Sequence, residues 1–349
     1  MNQVLAWLVP PLVALVVSVV CCMVAIRLAA RLRFTDRPGA EPHKQQGQVV
    51  PYGGGIAMAI AVVLALVAAH YMSVTPMSAT DAPKLLPIVF GALAMVIMGA
   101  WDDARPLRPW LKLAVQAIIC SAVISPADLA VDCLRGWSPA LAWTMAFGWL
   151  IVVSNAYNLL DHADGLAGAV AAVSCAALAG GAIMSGDVES ARLWLTLAAA
   201  LAGFLVWNRP PARLYMGDSG SLAIGFLIGC GTLQTTFWPS GEGGSSLGLI
   251  SPLLICFIPL FDTAAVVVKR VRRGHPIMRG DRHHISHRLA RLGLSPSAVL
   301  AAVVALQIAL AAASFQLRNT DWISGSVVLA QAAAIAIALV LLETARDHG

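Results

Sequence analysis

The sequence predicts an all-α fold: a polytopic membrane protein of about eleven transmembrane helices with its active-site loops on the inner face. Three observations predict it. Only 12% of the 349 residues are charged, where a soluble domain carries about 25%, and the mean hydropathy is +0.78. Runs such as 53–69 and 323–342 are long enough as helices to cross an apolar bilayer core of about 30 Å. Proline, glycine and charge clusters interrupt these runs at regular intervals.

Those interruptions place helices near 4–28, 52–73, 84–101, 109–126, 137–156, 165–185, 191–207, 219–237, 248–268, 297–316 and 323–342. The first is read as a transmembrane helix, because Met1–Gln3 has no basic residue and the run 4–26 is too long for a cleaved leader. One integral-membrane domain over 1–349 is expected, with inside loops at 29–50, 101–109, 155–165, 208–218 and 269–296. The seven cysteines fall mostly in apolar runs and read as small buried hydrophobes.

Charge orients the bundle. With the N-terminus outside, 19 of the 23 Lys and Arg residues lie on the inner side, leaving Lys84, Arg135, Arg192 and Arg318 opposite. This is the positive-inside pattern, so the C-terminus is expected in the cytoplasm. The net charge of +5 reads as topology and attraction to anionic headgroups, and no nucleic-acid module is present. A P-loop or dinucleotide fingerprint is also absent.

In this orientation acids collect at inner helix ends within apolar flanks: "MGAWDDARP", "NLLDHADG", "YMGDSGS" and "PLFDTAA". A carboxylate at a membrane boundary is costly unless paired or bound to a cation, so these residues are functional candidates. Asp102 and Asp103 are adjacent like charges that a divalent cation relieves. Asp218 lies among small residues, where metal binding and helix capping are both open. Asn155, Asn158, Asp161 and Asp164 recur every three residues. Neighbours in that series share a helix face, a 3₁₀ turn aligns all four, and a polar helix end meeting water is the plain alternative. The last inside loop clusters His283, His284 and His287 with Arg282 and Arg288, a set suited to a phosphate chain. Carboxylates for Mg²⁺ or Mn²⁺ and cations for phosphates together point to phosphoryl transfer. A transporter is the rival class, although such proteins place charges at the midplane of repeated, broken helices.

Six ordered blocks resemble the polyprenyl-phosphate N-acetylhexosamine-1-phosphate transferases: "DRPG…HK…VPYGGGIA", "DDARPLRPWLKLAVQ", "NAYNLLDHADGLAG", "NRPPARLYMGDSGSLAIGF", "PLFDTAAVVVKR" and "DRHHISHRLARLGLS". The resemblance implies transfer of a sugar-1-phosphate from a UDP-sugar to a polyprenyl phosphate lipid, with release of UMP and a requirement for Mg²⁺. It implies a bacterial cytoplasmic membrane protein; a homodimer is compatible with the many small residues, as is tight packing within one bundle. By position it implies catalytic roles for Asp102, Asp103, Asp161 and Asp164, and metal binding by Asp218 with Asp103 or Asp161. Asn155, Asn158, His43, Lys44, Lys112, Arg282, His283, His284, His287 and Arg288 are implied substrate contacts, and Gln116 keeps family spacing. The family commonly has Gly where His162 stands, His where Ser286 stands, and Arg-Lys-x-His where this chain reads "EPHKQQ". The "HHISH" run is closer to the branch that uses UDP-N-acetylglucosamine than to the muramoyl-pentapeptide branch.

Overall fold

A computed structural model describes residues 2–32, 34–36, 49–71, 82–234, 246–274, 284–317 and 320–344. Fourteen α-helices follow one another: α1 (Asn2–Leu32), α2 (Gly54–Tyr71), α3 (Ala82–Ala104), α4 (Pro109–Ile124), α5 (Asp132–Arg135), α6 (Pro139–Leu160), α7 (Leu166–Met184), α8 (Val188–Asn208), α9 (Asp218–Gln234), α10 (Ser251–Ile255), α11 (Phe257–Arg272), α12 (Ile285–Arg291), α13 (Pro296–Gln316) and α14 (Trp322–Thr344). Among the described residues the remaining regular structure is a 3₁₀ turn at Ser246–Ile250 and a two-stranded antiparallel sheet pairing β1 (Thr35–Asp36) with β2 (Val50–Pro51).

Each of the eleven expected segments coincides with helix, but not every one is a full span. Among the described residues eight helices are long and apolar enough to cross a membrane, and the pair Leu247–Ile255 and Phe257–Arg272 is bent by 74° at its break, the shape of a broken span or of a re-entrant loop. α4 has 16 residues, about 24 Å of helix, less than the apolar core is thick. α9 shows 17 residues up to the end of its described segment, and most of them are buried, so it packs inside the bundle. α5 and α12 were not expected, being too short for periodicity to reveal.

The bend at Cys256 has a definite polar support. A break in a membrane helix frees backbone groups that no water can reach, so side chains must take them. Gln307 of α13 does so from both ends of its amide: Nε2 donates to the Ile255 carbonyl at 2.6 Å, and Oε1 accepts from Ile258 N–H at 3.3 Å. The Ser174 hydroxyl of α7 donates to the same carbonyl at 2.8 Å. Gln307→Leu keeps the volume and strands the buried Ile258 N–H, while Ser174 still serves the Ile255 carbonyl, a loss of roughly 1–3 kcal/mol. A clearly lower melting temperature in detergent is the expected result; an unchanged one would show that the bend needs no such support.

Small residues draw the helices together inside this one chain. A Cβ on Gly203 of α8 would stand 2.6 Å from the Leu15 carbonyl of α1, and one on Gly225 of α9 would stand 2.7 Å from Ser154 Cα of α6. Ser18 bonds the Ala200 carbonyl across the first of these seams at 2.7 Å. The seven cysteines are free thiols, five of them buried, as their apolar settings predicted. Exposed tryptophans ring both ends, Trp101 and Trp110 at one and Trp137 and Trp322 at the other, as interfacial aromatics do.

Candidate functional site

The acids converge where α3 and α6 end and α9 begins. The approach is main chain to main chain: a Cβ on Gly99 would overlap the Asp218 backbone, so α3 lies directly against the first turn of α9. From that position Asp103 caps α9. Its Oδ1 accepts from Asp218 N–H at 2.7 Å and its Oδ2 from Ser219 N–H at 3.2 Å. A carboxylate here satisfies two otherwise orphaned donors and meets the positive end of the helix dipole. Gly217 is left-handed (φ +72°) with the Asp103 carboxylate 2.5 Å from where a Cβ would be, so only glycine fits.

The glycine run that opens α2 clamps the same turn from the other side. Gly54 N–H and Gly55 N–H each donate at 3.0 Å, to the carbonyls of Tyr215 and Met216. A Cβ on Gly55 would enter the Gly220 backbone. Tyr215 N–H in turn donates to the Pro51 carbonyl at 2.9 Å, which ties the small sheet to the segment leading into Asp218.

Lys112 occupies the centre. Its ammonium donates to Asp102 Oδ2 at 3.0 Å, to Asn158 Oδ1 at 3.4 Å and to Asp218 Oδ2. Asn158 Nδ2 donates to Asp218 Oδ1 at 2.7 Å and to the Ser221 hydroxyl at 2.9 Å, while Asp102 Oδ1 accepts from Leu107 N–H at 2.6 Å. Two carboxylates therefore share one cation in a place that solvent still reaches, the Asp218 side chain being 27% exposed.

The series of four polar residues divides at the end of α6. Asn155 and Asn158 are helical, Asp161 is the C-cap and Asp164 lies in the turn before a left-handed Gly165 (φ +74°). Asp161 carries a carboxyl pushed well above the usual range, first by burial and then by Asp218, Asp103 and Asp164. Asp164 Oδ2 accepts from Ala212 N–H at 2.9 Å. Asn208 accepts from Gly165 N–H at 3.0 Å and donates to the Leu214 carbonyl at 2.8 Å, so these residues fasten the 209–217 loop. Asn155 stands behind the cleft, donating to Gln116 Oε1 at 2.6 Å and to the Ile151 carbonyl at 2.8 Å.

A second cluster adjoins the first through the chain at 161–162. Asp262 of α11 accepts from His284 Nδ1 at 2.7 Å and from Ile285 N–H at 2.7 Å. The His162 ring lies on the His284 ring, centroids 3.9 Å apart and planes 23° apart. His162 Nδ1 is 2.9 Å from the Leu159 carbonyl, to which it donates, and Nε2 is 2.6 Å from the Ser286 hydroxyl. Ligand atoms of His162, Asp262 and His284 lie within 4.8 Å of one another. Stacked rings point their nitrogens side by side, and three of these atoms are already in hydrogen bonds, so the cluster is a positioned pair of imidazoles more than a cage for an ion.

Asp102, Asp103, Lys112, Asn158, Asp161 and Asp218 are thus brought together; Asp164 and Asn155 brace the surrounding backbone. His284 is buried against Asp262 instead of standing open in a basic loop. His287 and the half-buried Arg288 lie on α12, and His43, Lys44, Arg282 and His283 fall outside the described residues. Ser221 and Ser286 were not among the expected site residues, and Asp262 was expected only as an acid in an apolar flank, without its partner. Ser221 sits one helical turn after Asp218, a spacing that was readable; the reach of Asp262 to His284 across 22 residues was not.

The sequence model for glycosyl transferase family 4 matches residues 85–236, which hold every member of the acidic cluster. A Bacillus subtilis (strain 168) protein named "Probable undecaprenyl-phosphate N-acetylglucosaminyl 1-phosphate transferase" is 29% identical over 302 residues, 84% of this chain and 78% of its own. A phospho-N-acetylmuramoyl-pentapeptide-transferase of Synechococcus sp. (strain CC9605) is 30% identical over 254 residues, 66% of this chain and 71% of its own. A decaprenyl-phosphate N-acetylglucosaminephosphotransferase of Mycolicibacterium smegmatis is 29% identical over 281 residues, 71% of this chain and 67% of its own.

Proposed function

The chain belongs to the polyprenyl-phosphate N-acetylhexosamine-1-phosphate transferases of glycosyl transferase family 4, and on that premise we propose that it moves GlcNAc-1-phosphate from UDP-GlcNAc to a polyprenyl phosphate. A lipid phosphate oxygen attacks the β-phosphorus, the bond to the bridging oxygen breaks, and UMP leaves. The observation that carries this reading is the Asp102–Lys112–Asp218–Asn158 cluster at one end of the apolar bundle, where a lipid headgroup and a water-borne nucleotide meet. The distribution of Lys and Arg supports an N-terminus outside and the cluster on the cytoplasmic side.

The donor set suits a hard divalent cation. Asp218 and Asp161, with the Asn158 carbonyl oxygen, offer oxygen ligands only, and Lys112 shows that the site already draws a positive charge. Asp218 and Asp161 would hold Mg²⁺, which neutralises charge developing on the transferred phosphoryl group. Lys112 holds a phosphate oxygen between the carboxylates. Asp102, anchored by Leu107 N–H, orients the attacking lipid phosphate. Asp103, both of whose oxygens take N–H groups of α9, keeps Asp218 in place.

The test is UMP release by the purified protein with undecaprenyl phosphate and a panel of UDP-sugars, with Mg²⁺ and with EDTA. Mg²⁺-dependent, lipid-dependent UMP from UDP-GlcNAc is expected. UMP only from UDP-MurNAc-pentapeptide would move the donor, and none from any donor in folded protein would refute the reaction.

Asp161 gives a second, ligand-linked expectation. Its folded carboxyl titrates above its unfolded value, so the metal-free folded protein binds the extra proton. Its contribution to stability is then present below the unfolded carboxylate value of about 4 and lost as pH rises through the folded one. A cation removes that loss. The melting-temperature gain from Mg²⁺ is therefore expected to be larger at pH 8 than at pH 5.5; a gain independent of pH would contradict a ligand role for Asp161.

A further inference from the structure

α2 and α3 both lean on α9, yet they scarcely touch each other. At the start of α9 each meets it backbone to backbone, α2 through Gly55 against Gly220 and α3 through Gly99 against Asp218. Beyond that turn they stand apart, and an apolar cleft runs between them over α9, from Ser219 to Gln234. Ala59 of α2, Val89 and Ala92 of α3, Ala223 and Leu227 of α9 and Trp194 of α8 line it. We infer that this cleft is a binding site for one acyl chain of a bilayer phospholipid, held as a wedge between α2 and α3.

The cleft is continuous with the surface that faces the bilayer. Ile60, Leu64 and Val67 lie exposed along α2, and Phe90, Leu93 and Ile97 along α3, so both lips are apolar. The walls present almost no polar atom. Water finds no partner on such walls, and an unfilled cleft forfeits dispersion contacts along its whole length. The stretch of α9 beneath it is about 22 Å long, against about 15 Å for half of the apolar core, so a chain from one leaflet lies along it. The polyprenyl acceptor is a poor occupant. Its phosphate is needed where Lys112 of α4 and Asn158 of α6 meet Asp218, on the other flank of α9. At the first turn not even a methyl group fits between α9 and Gly55 or Gly99, so no headgroup crosses there. The wedge bears on Asp218 all the same. α2 holds the Tyr215 and Met216 carbonyls and α3 supplies the Asp103 cap, so the helices that the chain spaces are those that fix the Asp218 turn.

Three proteins test it: wild type, Ala92→Phe, which fills the cleft from its own wall, and Ile97→Phe, which puts the same ring on the exposed face of α3. Native mass spectrometry in detergent is expected to find one phospholipid on wild type and on Ile97→Phe that Ala92→Phe lacks. Repeated detergent washing is expected to lower the melting temperature of wild type by several degrees and that of Ala92→Phe hardly at all. Dioleoylphosphatidylglycerol is expected to restore the wild-type value. Equal phospholipid counts in wild type and Ala92→Phe would overturn the inference. So would release of the phospholipid by undecaprenyl phosphate, since the cleft would then belong to the acceptor. If Ala92→Phe does not fold, fluorescence quenching by a phospholipid with brominated chains decides. The saturable quenching seen in wild type is expected to vanish in Trp194→Phe, and its persistence would overturn the site. None of these measurements needs turnover. A wild type that releases no UMP would therefore refute the transferase reading, while the phospholipid count still decides what the cleft holds.

Discussion

Asp218→Ala is expected to lower UMP release by roughly 10³-fold, with Asp218→Asn nearly as damaging. Asp218 is the first residue of α9, and both of its oxygens are engaged, by Asn158 and by Lys112. Truncation removes a ligand and also the acceptor that orients Asn158, while Lys112 is left with Asp102 as its one carboxylate partner among these contacts. The asparagine variant separates charge from shape. It fills the same volume and keeps one acceptor oxygen, so a large loss in Asp218→Asn with an unchanged melting temperature assigns the effect to charge. Turnover near wild type in either variant would remove Asp218 from the reaction, whatever else the cluster does.

Lys112→Met is expected to cost about 10²-fold in UMP release and to make the protein depend on Mg²⁺ for stability. Lys112 bridges Asp102 and Asp218, and a methionine of similar length leaves those like charges facing one another without a counter-ion. Mg²⁺ should then raise the melting temperature more in Lys112→Met than in wild type, because the vacated centre retains its oxygen donors. Lys112→Arg is expected to fail as well, since a planar fork does not reproduce a compact ammonium that bonds three partners at once. If Lys112→Met keeps full rate, the ammonium is a structural counter-ion only, and phosphate binding must be assigned elsewhere.

Much of this site was legible because membrane location makes charge informative. In a chain that is 59% hydrophobic, each acid in an apolar flank is conspicuous, and Asp102, Asp103, Asn158, Asp161 and Asp218 were all picked out that way and do gather at one place. What each of them touches was not legible. Asp102 and Asp103 are neighbours in sequence and the motif treats them alike. A helix turns by about 100° per residue, so one carboxylate faces Lys112 and the other the N-terminus of α9. Asn155 and Asn158 share a helix face by spacing, yet one braces Gln116 and the other meets Asp218, because Gln116 is the α4 residue level with Asn155 while Asp218 begins α9 level with Asn158.

The sequence by itself determined the class of the protein, the order of its helical segments, and which acids gather at one end of the bundle. Those properties reside in runs of neighbouring residues: hydropathy summed over a helix length, breaks at Pro and Gly, and the sign of charge in each loop. The tertiary structure decided which spans are whole and which are bent or too short, because buried neighbours such as Gln307 satisfy what a lone helix could not. It also decided that Asp103 is a cap, that Lys112 is the centre, and that His162 and Ser286 meet across 124 residues. Contacts at such separations depend on how helices cross, a quantity set by side-chain volumes over the whole bundle and carried by no short stretch of chain.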